Sequence, residues 1–349
     1  MQNSQPESRS KVSVAMITYN HEQFIEQAVR SVMMQETDFE YELIIGEDCS
    51  TDNTRGIVLR LKEEFPDKIR LILHEQNIGM AKNFIAVYEA CAGEYIALLE
   101  GDDYWTHPRK LDIQVEYMHT YTDCGICAHS ANVIDEKGNL IKIQGWDVPP
   151  IAIEGFLQLL LSRPDHIITG SVMIRSEEKK LPEWISQLQV SVDWALYIWL
   201  LTQGGMLHHL QSEPMSVYRL HTGGITHVLR LSKNDNDRTI KILAHQLKAA
   251  NDAEIVFQHV PLDLQIYMRK RIMNIYLSSA RLAYTVDSAL FQTVYDTLCQ
   301  LSPNGRYIPD SPRHLAILAK WIGYPQTEWL SGIYRTILPI QIRKLINKS

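Results

Sequence analysis

The chain has 349 residues, 45% of them hydrophobic, and a formal net charge of −7. Its length and hydrophobic content suffice for one large domain or two smaller ones. A negative charge balance does not supply the broad basic surface typical of nucleic-acid-binding proteins, so we expect no nucleic-acid partner.

Five cysteines, an odd number spread along the chain, do not form the pattern of a disulfide framework. Cys124 and Cys127 lie in a strand-like apolar run, where residues three apart point to opposite faces, so we interpret them as buried thiols rather than a metal site. Residues 1–10 lack the apolar core of a signal peptide, and we expect them to be disordered. No segment reaches the apolar length of a membrane span, which favours a cytoplasmic location.

From residue 11, short apolar runs alternate with amphipathic segments. The runs predict strands at 12–18, 41–46, 69–73 and 94–99. Apolar residues recur at helical spacing between them. This alternation predicts a doubly wound α/β domain, because nearly continuous apolar strands are typical of a sheet that helices cover on both faces.

The second half of the chain changes character along its length. We predict a strand and hairpin after residue 123, a helix near 156–161, a strand at 167–175, a helix from Asp193, and short strands at 205–210 and 215–220. From about residue 234 the pattern is mainly helical, with periodic stretches at 238–258, 264–284 and 287–301. A domain boundary is therefore expected near residue 230.

Ligands of open α/β sheets bind beyond the carboxyl ends of the strands. Four polar segments follow the first four predicted strands: TYNHE, GEDCSTDNT, HEQNIGMAKN and EGDDYW. The last contains Glu100, Asp102 and Asp103, whose mutual repulsion calls for a cation or hydrogen-bond donors. A turn of solvated acids is the alternative, but four polar segments at one edge of a sheet favour a ligand site. No Gly-x-x-x-x-Gly-Lys or G-x-G-x-x-G loop follows the first strand, so we expect a nucleotide site built from side chains and a divalent metal.

Several ordered segments between residues 11 and 226 resemble the inverting glycosyltransferases of family 2, which have the GT-A fold. These segments are SVAMITYNHEQFIEQAVRSVMMQ, EDCSTDNT, NIGMAKNF, GEYIALLEGDDYW, VDW and YRLHTGG. The likeness extends to bacterial enzymes that build surface polysaccharides. It implies an α/β GT-A domain at 11–230, a Rossmann-like mixed sheet with a nucleotide-sugar half at 11–105 and an acceptor half at 106–230. A mainly helical region at 231–349 follows.

The resemblance implies transfer of a sugar, with inversion, from a UDP-linked donor to an acceptor hydroxyl. It assigns to the donor side residues from several strand ends: Thr18, Tyr19, Asn20, Glu47, Asp48, Asn77, Gly79, Lys82, Glu100, Gly101, Asp102, Arg219 and His221. Asp48 occupies the position that hydrogen-bonds uracil, with an acid at a helix N-terminus as the alternative. Lys82 is either a partner of the diphosphate or a surface lysine.

The family's Asp-x-Asp metal motif reads Glu100-Gly101-Asp102 in this chain. The resemblance therefore implies that Asp102 binds Mn²⁺ or Mg²⁺, and it makes Glu100, Asp103 and His221 further candidate ligands. Arg219 and His221 lie where the family often carries a flexible loop over the donor diphosphate.

On the acceptor side, Asp193 matches the carboxylate that takes the proton of the attacking hydroxyl. Its alternative is an ordinary helix N-cap. Ser171, Trp105 and Trp194 are candidate acceptor-side residues, and core packing is the alternative for both indoles.

The implied acceptor is a glycan or a lipid-linked saccharide. Residues 330–349 carry four Lys or Arg and no Asp or Glu among apolar residues, which is typical of a helix on a membrane surface. We expect peripheral contact with the inner face of the cell membrane, with packing on the catalytic domain or on a second subunit of a homo-oligomer as the alternatives. Two other functions stay open: a sugar nucleotidyltransferase, and a non-catalytic scaffold that binds nucleotide-sugar or glycan.

Overall fold

A computed structural model describes residues 10–145, 160, 167–176, 180–210, 212–224 and 236–286. These residues belong to two compact units. The first unit contains the described residues up to 224 together with 258–261, and the second contains 236–257 and 262–286.

Eleven strands lie within the described part of the chain. They are β1 (Val12–Thr18), β2 (Tyr41–Glu47), β3 (Ile69–Leu73), β4 (Tyr95–Glu100), β5 (Tyr104–Trp105), β6 (Cys124–His129), β7 (Ala131–Asp135), β8 (Leu140–Gln144), β9 (Met173–Arg175), β10 (Met206–Leu210) and β11 (Ser216–Leu220). Seven of them form one sheet in the order β10-β6-β9-β4-β1-β2-β3, and β5-β11-β7-β8 form a second. The large sheet is mixed, because β9 runs antiparallel to both β4 and β6 while the other pairs are parallel.

The helices of the first unit are α1 (Ile25–Met33), α2 (Thr54–Glu64), α3 (Met80–Ala90), α4 (Lys110–Thr120) and α5 (Val192–Thr202). One core joins the apolar sides of α1, α2 and α4 to alternate residues of β1, β2 and β4 such as Val14, Leu43 and Ala97. On the opposite face, α3 packs closely against β2. A Cβ added at Gly46 would lie 2.4 Å from Val87 of α3, so glycine permits that approach. Helices therefore cover both faces of the sheet, as predicted.

The four strands predicted from the first hundred residues agree with β1 to β4 within one residue at each end. The strand predicted at 167–175 is shorter, because residues Thr169–Ser171 form a 3₁₀ turn and only Met173–Arg175 pair in the sheet. The prediction of opposite faces for Cys124 and Cys127 was wrong. The ladder between β6 and β10 shifts register around Gly125, and this extra residue brings both buried cysteines into the same core. The helices predicted near 156–161 and at 287–301 lie outside the described residues, apart from residue 160.

The second unit contains most of α6 (Asn236–His259) and α7 (Gln265–Val286). Its buried side chains include Leu243, Val256 and Met268. Polar pairs also join the two helices: the Tyr276 hydroxyl donates to Glu254 Oε1 over 2.8 Å. Neither of these helices, nor any other helix in the described ranges, is both long and apolar enough to cross a membrane.

Candidate active site

The candidate site lies at the carboxyl ends of β1 and β4, which are parallel neighbours. Ile17 stands opposite Glu100, and the amide of Gly101 donates to the Ile17 carbonyl over 2.9 Å. The chain leaves both strands side by side, so the loop after Thr18 contacts the Glu-Gly-Asp-Asp segment. A Cβ at Gly101 would lie 2.6 Å from the Thr18 hydroxyl, which explains why the central residue of the motif is glycine.

A mixed imidazole and carboxylate cluster forms where these loops meet. One ligand atom each from His21, Asp102 and His221 lies within 4.8 Å of the others. His221 Nε2 is 2.9 Å from Asp102 Oδ2, and His21 Nε2 is 3.7 Å from the same oxygen. Burial opposes ionisation of Asp102, but the two neighbouring imidazoles lower its pKa overall. We name these three residues the imidazole cluster.

Neighbouring side chains orient the imidazole cluster. The Thr18 hydroxyl is 3.2 Å from His21 Nδ1, and the backbone amide of His21 donates to Thr54 Oγ1 over 2.8 Å. The Phe24 ring packs on His221 with 4.7 Å between ring centroids. The chemistry of the donor set fits a single divalent ion, since imidazole nitrogen and carboxylate oxygen are both common metal ligands and their spread matches ligands on one centre.

Asp103 and Arg219 connect the acidic segment to the second sheet. Asp103 is 1% exposed, and its Oδ1 accepts from the backbone amide of Arg219 over 2.9 Å. The Arg219 guanidinium donates to the Asp102 carbonyl and to Gln27, and it stacks on Phe24. Arg219 lies in β11, within the strand predicted at 215–220, and not in the flexible loop that the family resemblance implied. Its contacts place His221, the residue just after β11, beside Asp102.

The other oxygen of Asp103 has no hydrogen-bond partner among the described residues. Burial, with the neighbouring Asp102 and Glu100, raises the pKa of Asp103 well above its usual value. Asp103 is not part of the imidazole cluster. β11 therefore holds one oxygen of this candidate ligand, and its metal-binding role stays a prediction.

Glu100 is the last residue of β4, and its carboxyl group interacts electrostatically with both Asp102 and Asp193. Burial, followed by the charges of Asp102 and Asp193, raises the pKa of Glu100 to about 8. Asp193 lies in the first turn of α5, two residues after the N-cap residue Ser191, and its Oδ2 is 3.4 Å from Thr169 Oγ1. The N-cap alternative for Asp193 was therefore wrong.

Two residues near Asp193 were missed by sequence reasoning. Thr169 belongs to the 3₁₀ turn that replaces the start of the predicted strand. Tyr197 lies one helical turn after Asp193, and burial, then Asp193 and Glu100, raise the pKa of its phenol well above the usual value. The i, i+4 spacing of Asp193 and Tyr197 was the available signal for the tyrosine. The contact between Thr169 and Asp193 depends on tertiary packing, so the sequence carried no signal for it.

On the predicted nucleotide side, hydrogen bonds join the loop after β2 to the loop before α3. Asp48 is buried, and its two carboxylate oxygens accept from the amides of Ile78 and Gly79 over 2.7 and 2.9 Å. Asp48 does not cap α2, since Asp52 accepts from the Thr54 amide. Gly79 has a φ of +88°, which a non-glycine residue rarely adopts.

Some of the other predicted donor residues have hydrogen-bond or ion-pair partners within the protein, and others have side chains exposed to solvent. The buried carboxylate of Glu47 binds Arg55 and the Ser50 amide. The Asn20 side chain accepts from the Thr51 amide over 2.8 Å. The exposed residue Asn77 donates from Nδ2 to the Asp48 carbonyl over 3.2 Å, whereas Tyr19 is 40% exposed and Lys82 is also exposed.

The three predicted acceptor-side residues are buried. Trp105 is 1% exposed and donates from Nε1 to the Gly170 carbonyl, and Trp194 is 2% exposed and donates to the Leu160 carbonyl. The Ser171 hydroxyl donates to the Ile168 carbonyl over 2.7 Å. Both indoles pack in the core, so the structure corrects their assignment as stacking surfaces for sugar rings, and Ser171 supports its turn.

The family model described as Glycosyl transferase family 2 matches residues 13–181. TuaG of Bacillus subtilis, a putative teichuronic acid biosynthesis glycosyltransferase, is 39% identical over 51% of this chain and 72% of its own length. The chain belongs to glycosyl transferase family 2. An uncharacterized protein of Mycobacterium tuberculosis is 37% identical over 62% of this chain, and the match spans only 60% of that relative's length.

The solved structures show the same fold. The mannosyltransferase PcManGT from Pyrobaculum calidifontis, in complex with GDP-Man and Mn²⁺, has a TM-score of 0.50 at 15% identity, covering 98% of this chain and 84% of that one. At this identity the similarity applies to the fold alone. It confirms the expected α/β GT-A class with its mixed sheet.

Proposed function

We propose that this family 2 protein is a metal-dependent inverting glycosyltransferase. It transfers one sugar from a nucleotide-sugar, for which we propose a UDP-sugar, to an acceptor hydroxyl. The observation that carries this proposal is the arrangement around β4. Asp102, just after this strand, belongs to the imidazole cluster, and the 3₁₀ turn whose Thr169 contacts Asp193 is held to the strand by the Leu98 amide, which donates to the Val172 carbonyl over 3.0 Å. Donor-side and acceptor-side groups therefore meet at one edge of the sheet.

On the donor side, Asp102 and His221 hold Mn²⁺ or Mg²⁺. A divalent ion there supplies positive charge that stabilises the departing diphosphate. Thr18, through its hydroxyl contact with His21, and Arg219, through its contact with the Asp102 carbonyl, keep this edge in place. The exposed side chains of Tyr19 and Lys82 border the donor and contact the nucleotide-sugar.

On the acceptor side, Asp193 accepts the hydroxyl proton as the oxygen attacks the anomeric carbon and the bond to the diphosphate breaks. A single displacement of this kind inverts the configuration at that carbon. Asp193 is suited to this role because it is partly exposed, while the rest of its first helical turn is buried. Thr169 lies against its Oδ2 and limits its rotation.

The acceptor is a glycan or a lipid-linked saccharide of surface-polysaccharide biosynthesis. This part of the proposal is supported by similarity to TuaG, a putative teichuronic acid biosynthesis glycosyltransferase. Peripheral attachment to the inner membrane face through 330–349, and a homo-oligomer, belong to the same proposal. The segment lies outside the described residues.

The test is incubation of the protein with a panel of sugar nucleotides and Mn²⁺, with release of nucleoside diphosphate as the readout. Asp193→Asn should keep donor binding and lose roughly 10²- to 10⁴-fold in transfer rate. Asp67→Asn, an exposed Asp on the same unit, is the matched control and should retain the wild-type rate. Full activity of Asp193→Asn would remove this residue from the reaction, and release of pyrophosphate would point instead to a nucleotidyltransferase.

A further inference from the structure

The imidazole cluster contains a histidine that the family resemblance did not assign. His21 comes from the loop after β1, whereas Asp102 and His221 follow β4 and β11. Three separate elements therefore bring one ligand atom each to within 4.8 Å of the others. Two of the three are nitrogens.

The geometry of His21 differs from that of a simple hydrogen-bond partner of Asp102. Its Nε2 is 3.7 Å from Asp102 Oδ2, which is too long for a hydrogen bond. Metal bonds of about 2.0 to 2.2 Å place two ligand atoms on one ion roughly 3 to 4 Å apart. The observed separation fits two ligands of a shared ion.

The second nitrogen of His21 is oriented as metal-binding histidines require. His21 Nδ1 lies 3.2 Å from the hydroxyl of Thr18. Thr18 is the last residue of β1 and is only 2% exposed, so its position is fixed. A hydroxyl that accepts from Nδ1–H leaves the Nε2 lone pair free and directed at Asp102. Gly101 keeps space for this ring, because a Cβ there would lie 3.0 Å from His21 Nδ1.

We infer that His21 is a metal ligand of this site, and that the resulting set of two imidazoles and one carboxylate selects a first-row transition ion such as Mn²⁺ over Mg²⁺. Mg²⁺ prefers oxygen ligands and retains its waters, whereas imidazole suits transition metals. This inference rests on the proposed function for the presence of a divalent cation. It adds a ligand and a preference that an oxygen-based site would not have.

The first experiment uses the full-length wild-type chain with Mn²⁺ alone. Electron spin echo envelope modulation of the bound ion should show two coordinated imidazole nitrogens in the wild type and one in His21→Gln. One nitrogen in both proteins would overturn the assignment. Because the wild-type spectrum alone distinguishes one nitrogen from two, the test holds even if the variant folds poorly.

The second experiment measures affinity by titrating Mn²⁺, with and without UDP, and following the free ion. His21→Gln should weaken Mn²⁺ binding by at least about 10-fold and change Mg²⁺ competition by much less. His119→Gln, an exposed histidine on α4, is the control and should bind as the wild type. Equal loss for Mn²⁺ and Mg²⁺ would contradict the preference.

Failure of the inference is distinguishable from failure of the proposed function. If Asp102→Asn abolishes Mn²⁺ binding while His21→Gln leaves it unchanged, the metal-dependent site stands and only the His21 assignment falls. If the wild type binds no Mn²⁺ even with UDP, both fall together.

Discussion

Lys110 offers a quantitative test of the packing beneath the candidate site. It begins α4, is 0% exposed, and donates to Gln114 Oε1 over 2.7 Å. Its ammonium lies 4.1 Å from the centroid of the Trp105 ring. Burial lowers the pKa of Lys110 from 10.5 to about 7. Gln114 also donates to the Ser171 carbonyl, so this lysine is connected to the turn that carries Thr169.

The sign of the pH dependence follows from proton binding. Between pH 7 and 10.5 the unfolded chain holds a proton on Lys110 more often than the native protein does, so the free energy of unfolding rises with pH. The gap between the two pKa values corresponds to roughly 5 kcal/mol over the whole range. Roughly 2 kcal/mol of this gain in the free energy of unfolding should appear between about pH 7 and pH 9. Below about pH 7 the buried Lys110 is protonated, and the folded protein is destabilised by the full amount.

The measurement compares urea unfolding of the wild type and Lys110→Met at several pH values, followed by tryptophan fluorescence. Other groups titrate in both proteins, so the informative quantity is the difference between the two curves. The wild type should gain roughly 2 kcal/mol relative to Lys110→Met from about pH 7 to pH 9. Lys137→Met, at an exposed hairpin position, should run parallel to the wild type. Parallel curves for Lys110→Met as well would mean that the lysine is solvated in the folded protein, and would refute the reasoning.

Two further substitutions test the loops around the site. Asp48→Ala removes the acceptor for the amides of Ile78 and Gly79, so it should lower the free energy of unfolding in urea by about 2 to 4 kcal/mol. An unchanged urea midpoint would contradict the role of Asp48 in holding this loop. Gly101→Ala places a Cβ 2.6 Å from the Thr18 hydroxyl and should weaken Mn²⁺ binding about 10-fold, measured by titration, whereas wild-type affinity would show that the loop relaxes freely.

The sequence was sufficient to predict the edge of the sheet at which the polar residues meet. Strands β1 to β4 are continuous apolar runs, and the rule that sites lie beyond their carboxyl ends placed Thr18 and Asp102 together. His21 lies in the segment TYNHE, but neither the strand pattern nor the family resemblance assigns a role to it. The available signal was the position of His21 three residues after Thr18. Because β1 and β4 are neighbours in the sheet, the loop that carries His21 lies next to the acidic motif.

Other features depend on contacts between residues far apart in the chain. Periodicity does not reveal that β9 inserts antiparallel between β4 and β6, or that the Asp103 carboxylate binds the backbone of β11. The burial of Trp105 and Trp194 has the same origin. An indole near a predicted site acid in sequence can point away from it in space, and here both indole nitrogens donate to backbone carbonyls of the core.

The acidic motif is tolerated because its carboxylates are in different electrostatic states. The imidazoles of the cluster lower the pKa of Asp102, whereas burial and neighbouring acids raise the pKa of Glu100 and of Asp103. The site without a cation therefore holds less negative charge near neutral pH than three acids in four residues suggest.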